Sequence, residues 1–312
     1  MPGTITLTTD FGNRGPFVGV MKAVILRHAP ETTLVDLTHG IHPGQIGEAG
    51  FWLSRAWHQF PPGSVHVAVV DPGVGTSRRI LAAICDDHVF IAPDNGLLTM
   101  IPELRERGRW HELTESWRIR QGWPEPSRTF HGRDIMAPLA AAIASRRARI
   151  EDIGPLATDV VPPALPDPVV SANTVRGQVA AIDTWGNLIS NIDESLLLGL
   201  DTPAVEVRGH HVPLVGTYGE AAPGALAALV NSFGVIEIAC NQGNAAQVTG
   251  ATYGDPVVIS GRAPARNEAA ATVLGASAYP PVLPTFAQVS RSVTMRLKAG
   301  RPGFESTRSV TK

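Results

Sequence analysis

The chain has 312 residues, 44 % apolar and only 17 % charged, with a formal net charge of −2. That length accommodates two ordinary domains with full cores. The charge balance argues against a nucleic-acid binder, and no apolar run approaches the roughly 18 residues of a membrane span.

Taken in chain order, Thr4–Thr9 is rich in β-branched residues and reads as a strand ending at Asp10-Phe11-Gly12. Phe17–His28 places Phe17, Val20, Met21, Val24 and Ile25 at helical spacing, with Pro30 beyond its end. Residues 33–37 read as a second strand and 47–60 as a second helix. The apolar run 65–70 reads as a buried strand, followed by Asp71-Pro72-Gly73-Val74-Gly75-Thr76-Ser77-Arg78. Another strand covers 88–92 and ends at Pro93-Asp94-Asn95-Gly96. An alanine-rich helix over 135–145 is introduced by His131-Gly132-Arg133-Asp134. Strands alternating with helices predict βαβ units and a mostly parallel sheet.

The five prolines between 155 and 172 predict a semi-rigid linker. Beyond it, 177–182, 204–208, 227–230, 235–239 and 255–259 read as short strands without an intervening helical period. The expected organisation is an N-terminal α/β domain (1–160), a linker (161–172), a small antiparallel β domain (173–262) and a tail (263–312). From Arg262 onward eight Lys or Arg face two acids, leaving 18 basic and 26 acidic residues in the body, so the tail is basic and expected to be loosely ordered. Cys85 and Cys240, far apart in apolar runs, are expected as buried thiols. The N-terminus lacks a basic segment followed by an apolar one, so a cytoplasmic protein without a signal peptide is expected.

Three strand ends carry an aspartate and a glycine, at Asp10, Asp71 and Asp94. These are common turn residues, but in a parallel sheet the three loops share one edge, where ligands of open α/β folds bind. Asp71 and Arg78 stand seven apart across the turn. They make either a structural ion pair or a carboxylate held ionised, better at orienting a water than at deprotonating it. His131, just before a helix, is either a proton-exchanging group or a capping histidine. Asp10 is either a turn former or an acceptor for a ribose diol. In the second half, Asp183, Trp185 and Asn187 share one tight loop, Tyr218 lies in a glycine-rich loop, and Asn231, Ser232 and Glu237 flank or occupy a strand. Such a set suits a nucleobase by stacking and hydrogen bonding. Phosphate-binding loops, dinucleotide fingerprints and nucleophile elbows are absent from the sequence. His39 and His42 lack accompanying ligands, so no metal site is expected.

Taken together, Thr8-Thr9-Asp10-Phe11-Gly12, Gly15-Pro16-Phe17-Val18-Gly19 with Lys22, Asp36-Leu37-Thr38-His39, Val70-Asp71 through Gly75 with Arg78, Pro93 to Gly96, and Phe130-His131-Gly132-Arg133-Asp134 resemble the S-adenosyl-L-methionine hydroxide adenosyltransferases. Asp183 to Asn187, Asn191, Asn231-Ser232 with Gly234, and Glu237 to Ala239 match the C-terminal part. The resemblance covers about residues 3–261. It implies an α/β domain plus a C-terminal antiparallel β-barrel, and hydrolysis of S-adenosyl-L-methionine to adenosine and L-methionine, the cofactor-like molecule being the substrate and no other cofactor being required. It also implies a homotrimer whose sites lie between one subunit's first domain and a neighbour's second. By motif match, Asp71, Arg78 and His131 would surround the nucleophile. Asp10 would hold the ribose, and Asn95, Phe130, Asp183, Asn187, Tyr218, Asn231, Ser232 and Glu237 would line the substrate. Halogenating relatives carry an aromatic hydroxyl in place of the charged set, and the Asp71 carboxylate would repel halide. Phe233 and Cys240 stand where those relatives carry arginines, and the basic tail has no counterpart. A halogenating enzyme and a non-catalytic binder are the competing expectations.

Overall fold

The computed structural model describes residues 3–198 and 200–262, so the basic tail expected at 263–312 lies outside the described residues. A six-stranded sheet forms the N-terminal half. It is built from β1 (Thr4–Thr9), β2 (Thr33–Thr38), β3 (Val65–Val69), β4 (Ile80–Cys85), β5 (His88–Pro93) and β6 (Arg109–Glu112), in the order β2-β1-β3-β5-β4-β6. The first four in that order run parallel, and β4 is antiparallel to both its neighbours. The fold class is thus the expected mostly parallel α/β arrangement.

Every residue of β3 and β5 is buried, as strands covered on both faces require. Alternation along β3 sends Val65, Val67 and Val69 to one face, where they join Met21 and Ile25 of α1 (Phe17–His28) and Leu139 of α5 (Ala137–Ala144). Ala68 and Val70 face the other way, against Leu53 of α2 (Ile46–Ala56) and Trp57. The helix expected over 47–60 therefore ends early. Its last turn tightens into a 3₁₀ turn at Trp57–Gln59, which buries the indole.

The C-terminal half is an antiparallel sheet in the order β11-β10-β14-β8-β9-β13-β12. Its strands are β8 (Thr174–Ile182), β9 (Leu188–Asp193), β10 (Asp201–Val207), β11 (His210–Val212), β12 (Leu226–Val230), β13 (Val235–Cys240) and β14 (Pro256–Arg262). Ala228 of β12 donates to Pro213 and accepts from Val215, joining the two ends of the sheet into a nearly closed barrel. Val175, Ile192, Val207, Ile236 and Ile259 fill its interior. β9 and β11 escape a reading by pattern, and a short helix, α6 (Ala245–Thr249), breaks the expected absence of helix here.

Residues expected as linker are tied down. Val161 N–H donates to Asp94 at 2.9 Å, Asn191 donates to the Pro166 carbonyl at 2.9 Å, Leu165 is buried, and a short strand β7 (Val169–Ser171) pairs with β8. An apolar cluster of Phe51, Leu165, Ala181, Ile189 and Val235 joins the two halves, reinforced by Arg55 on Asp193 at 2.9 Å. Cys85 and Cys240 are both buried free thiols.

On the central strand β3 of the first sheet, His66 lies wholly buried, its Nδ1 2.8 Å from the Thr6 hydroxyl and its Nε2 3.0 Å from His88. Burial, with the neighbouring His88 and His58, pushes its pKa down from 6.5 to about 3. Between those values the unfolded chain binds a proton that the folded chain refuses, so this contribution is complete above pH 6.5 and is lost as pH falls toward 3. Denaturant titrations should therefore show stability declining from pH 7 to pH 4. His66→Phe should flatten that slope, while costing about 1–3 kcal/mol at pH 7 through the unpaired Thr6 and His88.

Candidate functional site

Adjacent parallel pairing of β1 and β3 brings Asp10 and Asp71 out side by side at the carboxyl edge of the first sheet. The turn after Asp71 is closed by Val74 N–H on the Asp71 carbonyl and by Thr76, whose hydroxyl donates to Gly73 O at 2.7 Å. Gly75 has φ +80°, and a Cβ there would lie 2.2 Å from the Arg128 carbonyl. Only glycine lets this turn press against the segment that leads to His131.

Arg78 is the hub of the site. Its Nε donates to both oxygens of Asp71, at 2.9 and 3.1 Å, and a terminal nitrogen also donates to Asp71. That same nitrogen lies 2.9 Å from His131 Nδ1. A guanidinium has only donors, so Nδ1 must accept. The neutral imidazole consequently carries its hydrogen on Nε2. Burial, with the Arg78 charge adding to it, lowers the His131 pKa, which keeps the ring in that neutral form. His131 caps a five-residue π-helical turn, Gly132–Met136, that leads into α5. Arg133 and Asp134 pair with each other, and Asp134 also accepts from Ser127 N–H at 2.8 Å, fixing the preceding loop.

A cavity of about 250 Å³ opens beside this group, lined by Asp10, Phe11, Gly44, Asp71, Phe130 and His131. Phe11, Phe17 and Phe130 pack with ring centroids 5.6 to 5.8 Å apart, giving it an apolar flank. One Asp10 oxygen accepts from Gly44 N–H at 2.9 Å. The loop is braced from below: Thr9 Oγ1 lies 2.9 Å from His39 Nδ1, His39 Nε2 3.0 Å from Asp36, and Lys22 donates to Asp36 at 2.5 Å. His42 meets Glu48 at 3.0 Å. Among the described residues no cluster of three or more His, Cys, Asp or Glu is arranged to hold a metal ion.

A second cavity of about 610 Å³ lies on the C-terminal half. Asp183, Tyr218, Asn231, Ser232 and Glu237 all line it, joined by Trp185, Phe233 and, from α2, Trp52. Glu237 is a buried carboxylate in an otherwise apolar strand, accepting from Tyr218 OH at 2.7 Å and Asn231 Nδ2 at 3.1 Å. Burial and that carboxylate push the Tyr218 phenol well above its ordinary pKa, so it remains a donor. Asp183 organises its loop, accepting from Trp185 N–H and from both nitrogens of Asn187, each at 2.9 Å.

The two cavities share no lining residue. Asn187 lines neither, its amide being held by Asp183. Asn95 also lines neither. Its amide donates to Val70 O at 2.8 Å and its oxygen accepts from Leu97 N–H, which stiffens the loop behind Asp71. Trp52 is a lining residue that sequence reasoning missed. It sits on α2 beside the plainly apolar Phe51 and Leu53, and only the packing of the halves reveals where it faces.

The family model for the SAM hydroxide adenosyltransferase N-terminal domain matches residues 5–154, and that for the C-terminal domain matches 177–258. Among curated relatives, an (R)-S-adenosyl-L-methionine hydrolase of Thermus thermophilus is 37 % identical, over 80 % of this chain and 96 % of its own. A hydrolase of the same name from Salinispora tropica is 36 % identical over 80 % and 95 %. A fluorinase of an Actinoplanes species is 26 % identical over 76 % and 90 %. The crystal structure of a conserved protein from Thermotoga maritima superposes with a TM-score of 0.73 at 35 % identity, covering 82 % of this chain and 99 % of that one. This chain belongs to the SAM hydroxide adenosyltransferase family.

Proposed function

We propose that the protein hydrolyses (R)-S-adenosyl-L-methionine to adenosine and L-methionine, water attacking the ribose 5′ carbon in line with the sulfonium. The observation that carries this reading is the bonded Asp71–Arg78–His131 group beside the Asp10 cavity. A sulfonium departs without protonation, so no cofactor is needed and the protein's task is to place and desolvate one water. Asp71 accepts a hydrogen from that water and orients it. Arg78 fixes Asp71 and the imidazole at once. His131 presents Nε2–H as a donor, so it is not the resting base. Phe11 and Phe130 exclude bulk water, and Asp10 accepts from the ribose hydroxyls with its remaining lone pairs. A fixed carboxylate at the nucleophile position disfavours halide, which separates this chain from its fluorinase relatives.

The second cavity supplies the other half of the substrate site in this reading. Trp185 and Tyr218 offer stacking faces, and Asn231 and Ser232 offer polar contacts. The separate linings of the two cavities support a reading in which a complete site forms where the first cavity of one copy meets the second of another, in a homotrimer. The two halves of the fold act as the two domains of that arrangement, in a cytoplasmic setting. Among the described residues no helix is long and apolar enough to cross a membrane.

Incubation with each sulfonium epimer, with and without chloride or fluoride, tests the reaction by chromatography. Adenosine from the (R) epimer, independent of halide, is expected. Binding without turnover, or a 5′-halo-adenosine, would overturn the assignment. Asp71→Ala should lower kcat by about 100-fold or more while leaving adenosine affinity nearly unchanged. Comparable kcat in that variant would remove Asp71 from its role.

The lowered pKa of His131 sets the acid limb of the rate profile. Protonation at Nδ1 would point a hydrogen at Arg78 and break the group. Activity should therefore hold below pH 6.5 and fall only as pH drops through the depressed value. A limb centred above 6.5 would contradict this.

Complementation tests the shared site. Asp71→Ala and Asp183→Ala subunits, each inactive alone, should regain about a quarter of parental activity when co-assembled one to one in closed trimers, because one interface in four then joins two intact halves. No recovery in verified mixed trimers would show that each site is built from one chain.

A further inference from the structure

His131 has a cavity on each side. The inner one holds Asp10 and Asp71. The outer one, about 470 Å³, is lined by Ser77, Arg78, Leu113, Thr114, Glu125 and His131. Arg78, on the outer side, reaches through to grip Asp71 on the inner side. The Asp71–Arg78–His131 group is therefore a wall between two spaces as well as a nucleophile holder.

We propose that the outer cavity is the solvent chamber of the active site, supplying the attacking water and draining the proton past this wall while the substrate fills the inner cavity. The inference rests on the hydrolase reading above. In each turnover a water lone pair forms the C5′–O bond, the C5′–S bond breaks with its electron pair going to sulfur, and the oxygen loses one proton. One water must enter and one proton must leave. Phe11 and Phe130 line the inner cavity and Phe17 packs against both, so on this proposal a bound substrate leaves the apolar flank no path for free water exchange. The wall itself cannot keep the proton. Arg78 is a permanent cation, and His131 has Nδ1 engaged by Arg78 and Nε2 already protonated. The proton must pass by Asp71 or water to a hydrated space. The outer cavity suits that purpose. It is far larger than one water requires, and its lining is polar, with the hydroxyls of Thr76, Ser77 and Thr114 and the carboxylates of Glu112, Glu115 and Glu125 set among four arginines. Glu115 and Glu125 are held at its mouth by the buried Arg118, at 3.5 and 3.0 Å.

Filling the outer cavity tests the proposal, using Ser77→Trp and Leu113→Trp, neither of which lines the inner cavity. The comparison uses whichever variant keeps the parental melting temperature. The expected result is a fall in kcat of about tenfold or more, adenosine affinity within about twofold of the parent, and a larger solvent deuterium isotope effect on kcat. Parental kcat in a well-folded filled variant would overturn the proposal, as would a loss of adenosine affinity in step with kcat. If instead the unmodified protein released no adenosine from either epimer, the hydrolase reading itself would fall.

Discussion

Arg78 holds together two groups from distant parts of the chain. Its fork fixes a carboxylate that follows β3 and an imidazole that precedes α5, elements far apart in the chain. Because guanidinium only donates, this one contact also decides which imidazole nitrogen carries the hydrogen. Position, charge state and tautomer are thus set together. The rest of the N-terminal half can be read as support for it. Gly75 lets the turn approach residue 128, Asp134 ties the loop at Ser127, and Asn95 braces Val70 from behind. A lysine at position 78 would keep the charge but lose the planar fork that reaches both partners.

The sheet topology explains why such a group can form at all. Parallel neighbours β1 and β3 deliver two carboxylates to one edge, where backbone ends and loops leave room for a ligand. The antiparallel β4 then returns the chain after Arg78, so that Arg78 and Arg79 lie at the start of a strand and point to different partners. Arg79 pairs with Asp94 and Asp159 rather than with Asp71 or His131. Two adjacent arginines thereby separate, one toward the nucleophile and one toward the framework.

Much of this was legible in the residues. β-branched runs ending in Asp-Gly turns marked β1, β3 and β5, because glycine and aspartate punctuate strands for definite steric reasons. The spacing of Asp71 and Arg78 across a turn anticipated their contact. The bond from Arg78 to His131 was not visible, since it spans 53 residues and depends on how α5 packs on the sheet. Glu237 stood out as a carboxylate inside an apolar run, but its partners Tyr218 and Asn231 arrive through barrel closure. β4 was not read as a strand, and its direction was hidden as well, because an apolar run reads the same whichever way the strand points. β9 was obscured by Ser190 and Asn191, polar residues whose side chains are satisfied by backbone groups and so can be buried.

Trp52 carries a consequence for modularity. It rises from a helix of the N-terminal half yet lines the cavity of the C-terminal half, edge-on to Phe233 at 5.4 Å. The boundary between the halves is therefore not the boundary between their recognition surfaces. A barrel grafted from a distant relative would arrive with its loops intact but meet a foreign indole. A graft that kept this cavity would have to carry the residue at position 52 together with the loop before β13.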